Sequence, residues 1–507
     1  LDSTGTLAAR NLASGIMTGV SSPTRPWFKT KIGRMDTTQV SPVSLWLAEV
    51  ERMMMLVFQE SNFYTSIHQM YFDLVVFGTA VMLIYEDFED VIHCYNPCLG
   101  EYYLDVDGQL KPTVFYREFT MTISQVVDRF GRENVSDSVG RLYDEGGSSL
   151  TRELIVAHAI EPNVGDNFGI SKVFPFREVY WEWGGSTSPQ GGSAYPMGFL
   201  SKRGFFESPV IAVRWDLVSN DAYGRSPGMD ALPDIKQLQQ EVRRKAQAID
   251  KTVNPPMVAD IQLKNQPASL LPGGTTYVAG MMTAHKTGFE PVYGNWRPDI
   301  KSLSEDLMEI RQRIKQTFFN DILQTISQFE TRSNVSATEI DARRAESLIM
   351  LGPVLERIQI EGLSPIIDRV FGIMQRARLF PPAPQDIQGR SIDIEYISML
   401  SMAQSAAQTT GIERLFGLVG NLVGVDPAAM DNVDVDYALD EYSMLMNNSP
   451  KLIRSPEQLA QIRQQRQQQQ AQQQQAEMAE KMAKSAQVLS QTETGAGQNA
   501  LQQMIGQ

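Results

Sequence analysis

The sequence predicts an α+β protein in which helix predominates, and three observations carry that reading. Apolar residues recur at three- and four-residue spacing near the N-terminus and again from Ile235 onward. Between them lie shorter runs of β-branched and aromatic residues, punctuated by Gly, Asp and Pro. From Ser455 the chain becomes a Gln-rich stretch of strong helix formers. At 507 residues there is room for about three domains and a large core.

Leu7, Leu12, Ile16 and Val20 predict a first helix, closed by Ser21-Ser22-Pro23 and followed by the aromatic anchor Trp27-Phe28. Residues 41–72 predict another helix, with Val43, Leu45, Leu47, Val50, Met53, Met54 and Phe58 crowding one side as packed core. The strongest apolar run, Leu74–Tyr85, is shorter than the ~18–20 residues of a membrane span. No secretory leader pattern opens the chain, which predicts a soluble intracellular protein with no membrane partner. Leu1 in place of Met predicts a start inside a longer reading frame.

Two strand-like runs flank Asp107-Gly108, a hairpin signal. Asp105, Asp107 and Gly108 resemble half a calcium loop, but the later acidic ligands are missing and a plain turn is expected. Further strands are expected at 154–160, 174–183 and 210–215, with a flexible loop at 184–198. Ile235, Leu238, Val242, Ala246 and Ile249 then predict an amphipathic helix ending before Asn254-Pro255-Pro256. A second helix starts near Pro298 with Leu303, Leu307, Ile310, Ile314, Phe318 and Ile322 on one face. At 1.5 Å rise per residue such helices span roughly 25–40 Å, so two of them around short strand-like pieces at 256–297 make a stalk with a knob.

Gln328 to Asn334 has neither helical nor strand period. Ser336 and Glu339 then form a reciprocal capping pair at a helix start. The seam of Leu348, Leu351, Leu355 and Ile358 crosses Gly352-Pro353, where a proline predicts a kink. A new helix is expected at Ser364-Pro365, running to Arg378. More helices follow over 385–448, with Gly417, Gly420 and Gly424 permitting close packing or turns. The terminal helix is polar nearly all round, which is marginal alone and favourable only where copies align side by side.

Chemistry is sparse. The sequence has no Walker phosphate loop, no H-E-x-x-H and no G-x-S-x-G elbow, and four scattered histidines give little for acid–base work. Cys94 and Cys98 with His93 suggest metal, but a zinc site wants four ligands and no second pair exists, so buried or turn thiols are expected. The carboxylates Asp431, Asp434, Asp436, Asp440 and Glu441 read as a solvated acidic face rather than a divalent-ion site. Neither catalytic group, cofactor nor metal is expected. The formal charge of −14 disfavours tight, sequence-reading nucleic-acid binding but is compatible with DNA sliding past.

Four stretches together resemble the portal, or head-to-tail connecting, proteins of short-tailed bacteriophages. They are Leu12–Phe28 (LASGIMTGVSSPTRPWF), Asn96–Gly131 (NPCLGEYYLDVDGQ…FYREFTMTISQVVDRFG), Arg214–Leu238 (RWDLVSNDAYGRSPGMDALPDIKQL) and Ser336–Phe371 (SATEIDARRAESLIMLGPVLERIQIEGLSPIIDRVF). The resemblance covers roughly residues 7–380 and is weak beyond. It implies a homo-oligomeric ring of about twelve subunits at a capsid vertex around a channel for double-stranded DNA. Laid on this chain, it implies a wing at 1–226, stem helices at 227–252 and 299–323 and a clip at 253–298. A channel loop at 324–335, kinked helices at 336–384, a crown at 385–454 and a barrel helix at 455–507 complete it.

The implied channel loop is Gln328, Phe329, Glu330, Thr331, Arg332, Ser333 and Asn334. Arg243, Lys245, Lys301 and Glu305 would face the channel from the stem, and Lys264, Asn265, His285 and Lys286 would meet the terminase or tail adaptor from the clip. Ser336, Glu339, Gly352 and Pro353 would set cap and kink. The implied partners are double-stranded DNA, the major capsid protein, the terminase large subunit, the tail adaptor and internal ejection or core proteins. The alternatives are a metal-dependent nuclease using the 431–441 carboxylates, or a structural tail or scaffold component without a channel.

Overall fold

The computed structural model describes residues 1–32, 41–164, 169–183, 198–253, 257–259, 289–291, 299–320, 352–387, 393–396, 399–423, 433–446, 452, 454, 456–491, 493–494 and 498–499. The chain is a mixed α+β protein divided into two compact units. One comprises Leu1–Phe28, Met53–Phe380 and Tyr396–Ala403; the other comprises Lys29–Arg52, Pro381–Glu395 and Gln404–Gln507.

The first unit opens with α1 (Thr4–Val20), which buries Ala8, Ala9, Leu12, Ala13, Ile16 and Val20. Leu7, expected on that face, is 52% exposed, because five residues separate it from Leu12 and turn it away from the 12–16–20 stripe. After β1 (Phe28–Lys31) the predicted helix over 41–72 is two helices, α2 (Pro42–Glu60) and α3 (Phe63–Phe77). Asn62 separates them, its side chain exchanging hydrogen bonds with the backbone of Cys94 at 2.8 and 2.9 Å. Trp27, Phe58 and Phe63 close the aromatic cluster foreseen around the Trp27-Phe28 anchor, their ring centroids 4.3–6.4 Å apart.

The apolar run Leu74–Tyr85 changes conformation in the middle. Gly78 sits at φ +78°, closing α3 and turning the chain into β2 (Thr79–Asp87). A Cβ there would lie 2.3 Å from the Gly224 carbonyl oxygen, so only glycine fits. β2 pairs on one side with β3 (Val91–Tyr95), and the continuous burial of residues 79–84 explains why the run looked so apolar. Its alternation was invisible because both of its faces are covered.

The main sheet is an antiparallel meander of β4 (Tyr102–Val106), β5 (Pro112–Thr122), β6 (Glu153–Pro162), β7 (Phe176–Glu182) and β8 (Phe199–Phe205). The 107–111 turn joins β4 to β5, with Asp107 Oδ1 accepting the Gln109 and Lys111 N–H groups at 2.8 and 2.9 Å; the Asp107-Gly108 signal is a plain turn. Helices α4 (Ile123–Phe130) and α5 (Asp137–Glu145) follow β5, the first started by a reciprocal Thr122/Gln125 capping box. They close one apolar cluster over the sheet with Val156, Tyr180 and Leu200. A second cluster joins Tyr102, Phe115 and Ile160 to Val81 and Leu83 of β2 and Ala212 of β9 (Val210–Arg214). β9 pairs with the other edge of β2.

The short pair β10 (Asp216–Leu217) and β11 (Gly224–Arg225) leads into α6 (Pro227–Val253). Ser226 starts that helix, its hydroxyl accepting the Met229 N–H at 3.0 Å, so Pro233 lies inside the helix. Met257–Ala259 and Phe289–Pro291 form an antiparallel pair, and α7 (Ile300–Thr317) follows, capped by Asp299. α7 ends at Thr317, and Phe319 adopts a left-handed φ of 55°. The expected continuation to Ile322 lies outside the described residues, as does the 184–197 loop.

From residue 352 a helical run passes through a π segment, Ile358–Leu363, into α8 (Ser364–Arg376). Ser364-Pro365 is therefore not a fresh helix start; Ser364 is helical and its hydroxyl bonds that of Tyr396 at 2.6 Å. The wider π turn takes up a proline that has no N–H to give to the preceding turn. α8 is fixed to the sheets by charge: Arg369 and Arg376 bond Glu207 at 3.0 and 2.7 Å, and Arg376 also bonds Glu86 at 2.9 Å.

In the second unit Ile32, Val43, Leu47 and Ile387 form a small core, and the Trp46 indole N–H donates to the Pro381 carbonyl at 3.0 Å. Helices Met399–Val423, Val435–Leu445 and Pro456–Gln491 follow. The described side chains of the last are exposed almost all round, as its glutamines imply.

Candidate functional site

α6 and α7 pack along each other, with α1 and α3 against them. Leu238 of α6 and Leu307, Ile310 and Ile314 of α7 are buried, which is the predicted apolar seam. A Cβ on Gly5 of α1 would come 2.8 Å from Ile235, so α1 sits tightly on the same pair. Polar contacts fix the arrangement. Arg311 of α7 donates to Asp2 Oδ2 at 2.7 Å, and Gln239 of α6 bonds the Asp2 backbone at both its N–H and its carbonyl. Asp2 is held below the usual carboxylate range: burial opposes this, but the Thr4 and Arg311 hydrogen bonds outweigh it. Arg313 reaches Asp234 across the pair at 3.2 Å.

Several other apolar residues of this pair are open to solvent. Met229, Leu232, Ile249 and Val253 of α6 and Met308 of α7 are 40–80% exposed. Ala246 and Ile249, expected on the packed face, are exposed. Helix Met399–Val423 carries an apolar stripe, with Leu415, Leu418 and Leu422 47–58% exposed at three- and four-residue spacing.

Charge on the helix pair differs from that of the chain. α6 carries five basic and four acidic residues and α7 four and three, a small positive balance in a chain of net charge −14. Arg243 is exposed and has no ion pair among the described residues. Lys245 is committed to the helix contact, its Nζ donating to Ser304 Oγ at 2.7 Å. Lys301 and Glu305 form an exposed i,i+4 pair at 3.8 Å, worth a few tenths of a kcal/mol. Sequence spacing reveals that last pair; the Lys245–Ser304 and Arg311–Asp2 contacts join distant segments and have no local signal.

Gln328–Asn334, Ser336 and Glu339, and Lys264, Asn265, His285 and Lys286 lie outside the described residues. Gly352 and Pro353 open the described helical run before α8. That run is tied to β9 by Glu361 in the π segment, which accepts from Arg214 Nη2 at 2.6 Å and Nε at 3.2 Å. Arg214 also donates to the Leu110 carbonyl at 2.6 Å, and its side chain is 2% exposed.

The metal candidates separate. His93 and Cys94 point to opposite faces of β3, and burial pushes the Cys94 thiol up to about 12; Cys98 is exposed. Among the acidic residues, Asp434 caps the helix Val435–Leu445 and Asp436 pairs with Arg463 at 2.7 Å. No group of metal-ligating residues comes together among the described residues, and none of their helices is long and apolar enough to cross a membrane.

A protein-family profile described as "Bacteriophage head to tail connecting protein" matches residues 1–453. The chain is similar to the portal protein of Salmonella phage epsilon15, at 40% identity over 497 residues, covering 97% of this chain and 87% of that one. It is also similar to a protein of Bordetella phage BPP-1 named "Probable portal protein", at 37% identity over 467 residues, covering 91% and 81%.

Proposed function

The chain belongs to the bacteriophage head to tail connecting proteins and has a portal role, and from that premise we propose that it is one subunit of a ring of about twelve around a DNA channel. It is a structural, non-enzymatic component of the virion head that self-assembles and meets capsid and tail parts. The observation that favours the ring is the exposed apolar residues of α6 and α7, with Met229, Leu232, Ile249 and Met308 open to solvent in a single subunit. A heterologous ring contact would cover such residues without leaving free ends.

In this reading 1–226 forms the wing, α6 and α7 the stem, 253–298 the clip, 324–335 the channel loop, 336–384 the return, 385–454 the crown and 455–507 a barrel. Twelve copies at −14 would carry about −170 in total, which keeps a duplex from adhering, while the mild positive balance of the stem gives brief phosphate contacts. The channel-loop residues Gln328–Asn334, the stem residues Arg243, Lys301 and Glu305, and the clip residues Lys264, Asn265, His285 and Lys286 are the proposed contacts to DNA and to terminase or adaptor. Lys245 contributes to the stem by holding its two helices together. Assembly takes place in the host cytoplasm.

End-on electron imaging and mass measurement of the purified protein test the ring: a closed ring with a central pore is expected, and a monomer or open filament would refute it. Deleting 324–335 is expected to leave assembly intact and to impair packaging or retention of DNA. Unchanged packaging and retention would remove the loop from the mechanism.

A further inference from the structure

Away from the helix pair, the main sheet holds a cavity of about 430 Å3, within the ~300–1,000 Å3 range of small-molecule pockets. Its lining includes Glu178 of β7, Tyr85 of β2, Phe130 at the end of α4 and Phe199 of β8. Arg129, Lys202 and Arg203 also line it.

Glu178 is 1% exposed, and its Oε1 receives the Tyr85 hydroxyl at 2.7 Å, His158 Nε2 at 2.9 Å and the Tyr180 hydroxyl at 3.2 Å. His158 stacks on Tyr180 with ring centroids 4.0 Å apart and planes 4° from parallel. Burial pushes the Glu178 carboxyl up, but the His158 and Tyr85 hydrogen bonds and the Arg203 charge more than offset it, and the group stays ionised. Burial lowers His158, which is neutral and donates through Nε2. Oε2 accepts no hydrogen bond among the described residues. An ionised carboxylate has room for about four donors, so Glu178, which lines the cavity, can take a further one.

Arg129, Lys202 and Arg203 are exposed, and none forms an ion pair among the described residues, in a chain with fourteen more acidic than basic groups. Lys202 lies 4.7 Å from the Phe199 ring centroid, and Arg129 lies 5.3 and 5.2 Å from those of Phe130 and Tyr180. The cavity thus combines an acceptor with room for an N–H, aromatic walls and positive charge in its lining.

We propose that this cavity binds a nucleotide, with a base N–H on Glu178 Oε2 and the phosphates on Arg129, Lys202 and Arg203. A bare anion would be repelled by Glu178, and a neutral amine would leave the cations unmet; a nucleotide carries both groups, joined by a flat ring that suits Phe130 and Phe199. The assignment is independent of the portal reading.

Calorimetric titration of the full-length protein with guanosine diphosphate tests it, since the guanine edge offers two N–H donors. One diphosphate per chain is expected, with guanosine and inorganic pyrophosphate each binding at least tenfold more weakly. The K202A/R203A double variant should weaken guanosine diphosphate at least tenfold and leave guanosine unchanged. Glu178→Gln should bring guanosine diphosphate down to the level of pyrophosphate. Arg129→Ala, at an exposed position, gives an independent arm if the Glu178 variant fails to fold, and a several-fold weakening is expected. No binding by folded wild-type protein at millimolar nucleotide would overturn the proposal. So would equal affinity for pyrophosphate and the nucleotide, or capture of an Asp/Glu-rich peptide but not of nucleotide through the same cations.

Discussion

Glu361→Ala is the most informative single perturbation of the framework. Arg214 is 2% and Glu361 12% exposed at the side chain, and the two are joined by bonds of 2.6 and 3.2 Å. Glu361 Oε2 also accepts the Arg214 main-chain N–H at 3.1 Å. Removing the carboxylate leaves a buried guanidinium with only the Leu110 carbonyl as a hydrogen-bond partner among the described residues, and breaking a buried pair this way costs about 3–5 kcal/mol. At 1.4 kcal/mol per decade, that corresponds to a rise of roughly 100- to 4,000-fold in the unfolding equilibrium constant. Urea unfolding followed by tryptophan fluorescence would read it, with Trp215, buried beside Arg214, contributing to the signal. The double variant R214M/E361L should recover part of the loss, since an apolar pair has no stranded charge, while the Arg214 main-chain N–H that loses its Glu361 acceptor still costs about 1–3 kcal/mol. A single variant within 1 kcal/mol of the parent, or a double variant no better than the single, would show that the pair does not hold the 352–376 run to the sheet.

Three other outcomes follow from local physics. Gly78→Ala should cost on the order of 1–3 kcal/mol for the left-handed backbone alone, with the clash against the Gly224 carbonyl added, and thermal unfolding would show it. Native protein treated with iodoacetamide at pH 8 should take one adduct, at exposed Cys98. Cys94, buried and with its thiol near 12, should react only after unfolding, as mass spectrometry of digests would reveal. Glu51 is raised above the ordinary carboxylate value by burial, against hydrogen bonds from the Thr30 N–H and hydroxyl. Its contribution is therefore full below about pH 4.5 and falls as pH rises through the higher folded-state value. Glu51→Gln keeps an acceptor for Thr30 and should flatten that part of the stability–pH curve; an unchanged slope would refute the assignment.

Helices were the legible part of this molecule, since a seam such as Leu307, Ile310 and Ile314 repeats within one segment and shows its own period. Where reading failed, a second segment had intervened. The break at Asn62 depends on hydrogen bonds to Cys94, thirty-two residues away. β2 was masked as a bare apolar run because neighbours cover both its faces, and Ser364-Pro365 mimicked a helix start because a π turn is invisible to spacing rules. Of the proposed stem residues, only Lys301–Glu305 was readable as a pair, being one helical turn apart.

By itself the sequence determined the α+β class, the helical seams, the Asp107-Gly108 turn and the kinship with head-to-tail connecting proteins, because each is carried by local spacing or by runs of matching residues. Tertiary structure alone decided that Lys245 clasps Ser304, that Arg214 closes on Glu361, and that Tyr85, His158 and Tyr180 converge on one oxygen of Glu178. The physical reason is range: helix periods and turns arise among residues a few positions apart, whereas buried charges find partners only after strand register and helix packing have brought distant segments together.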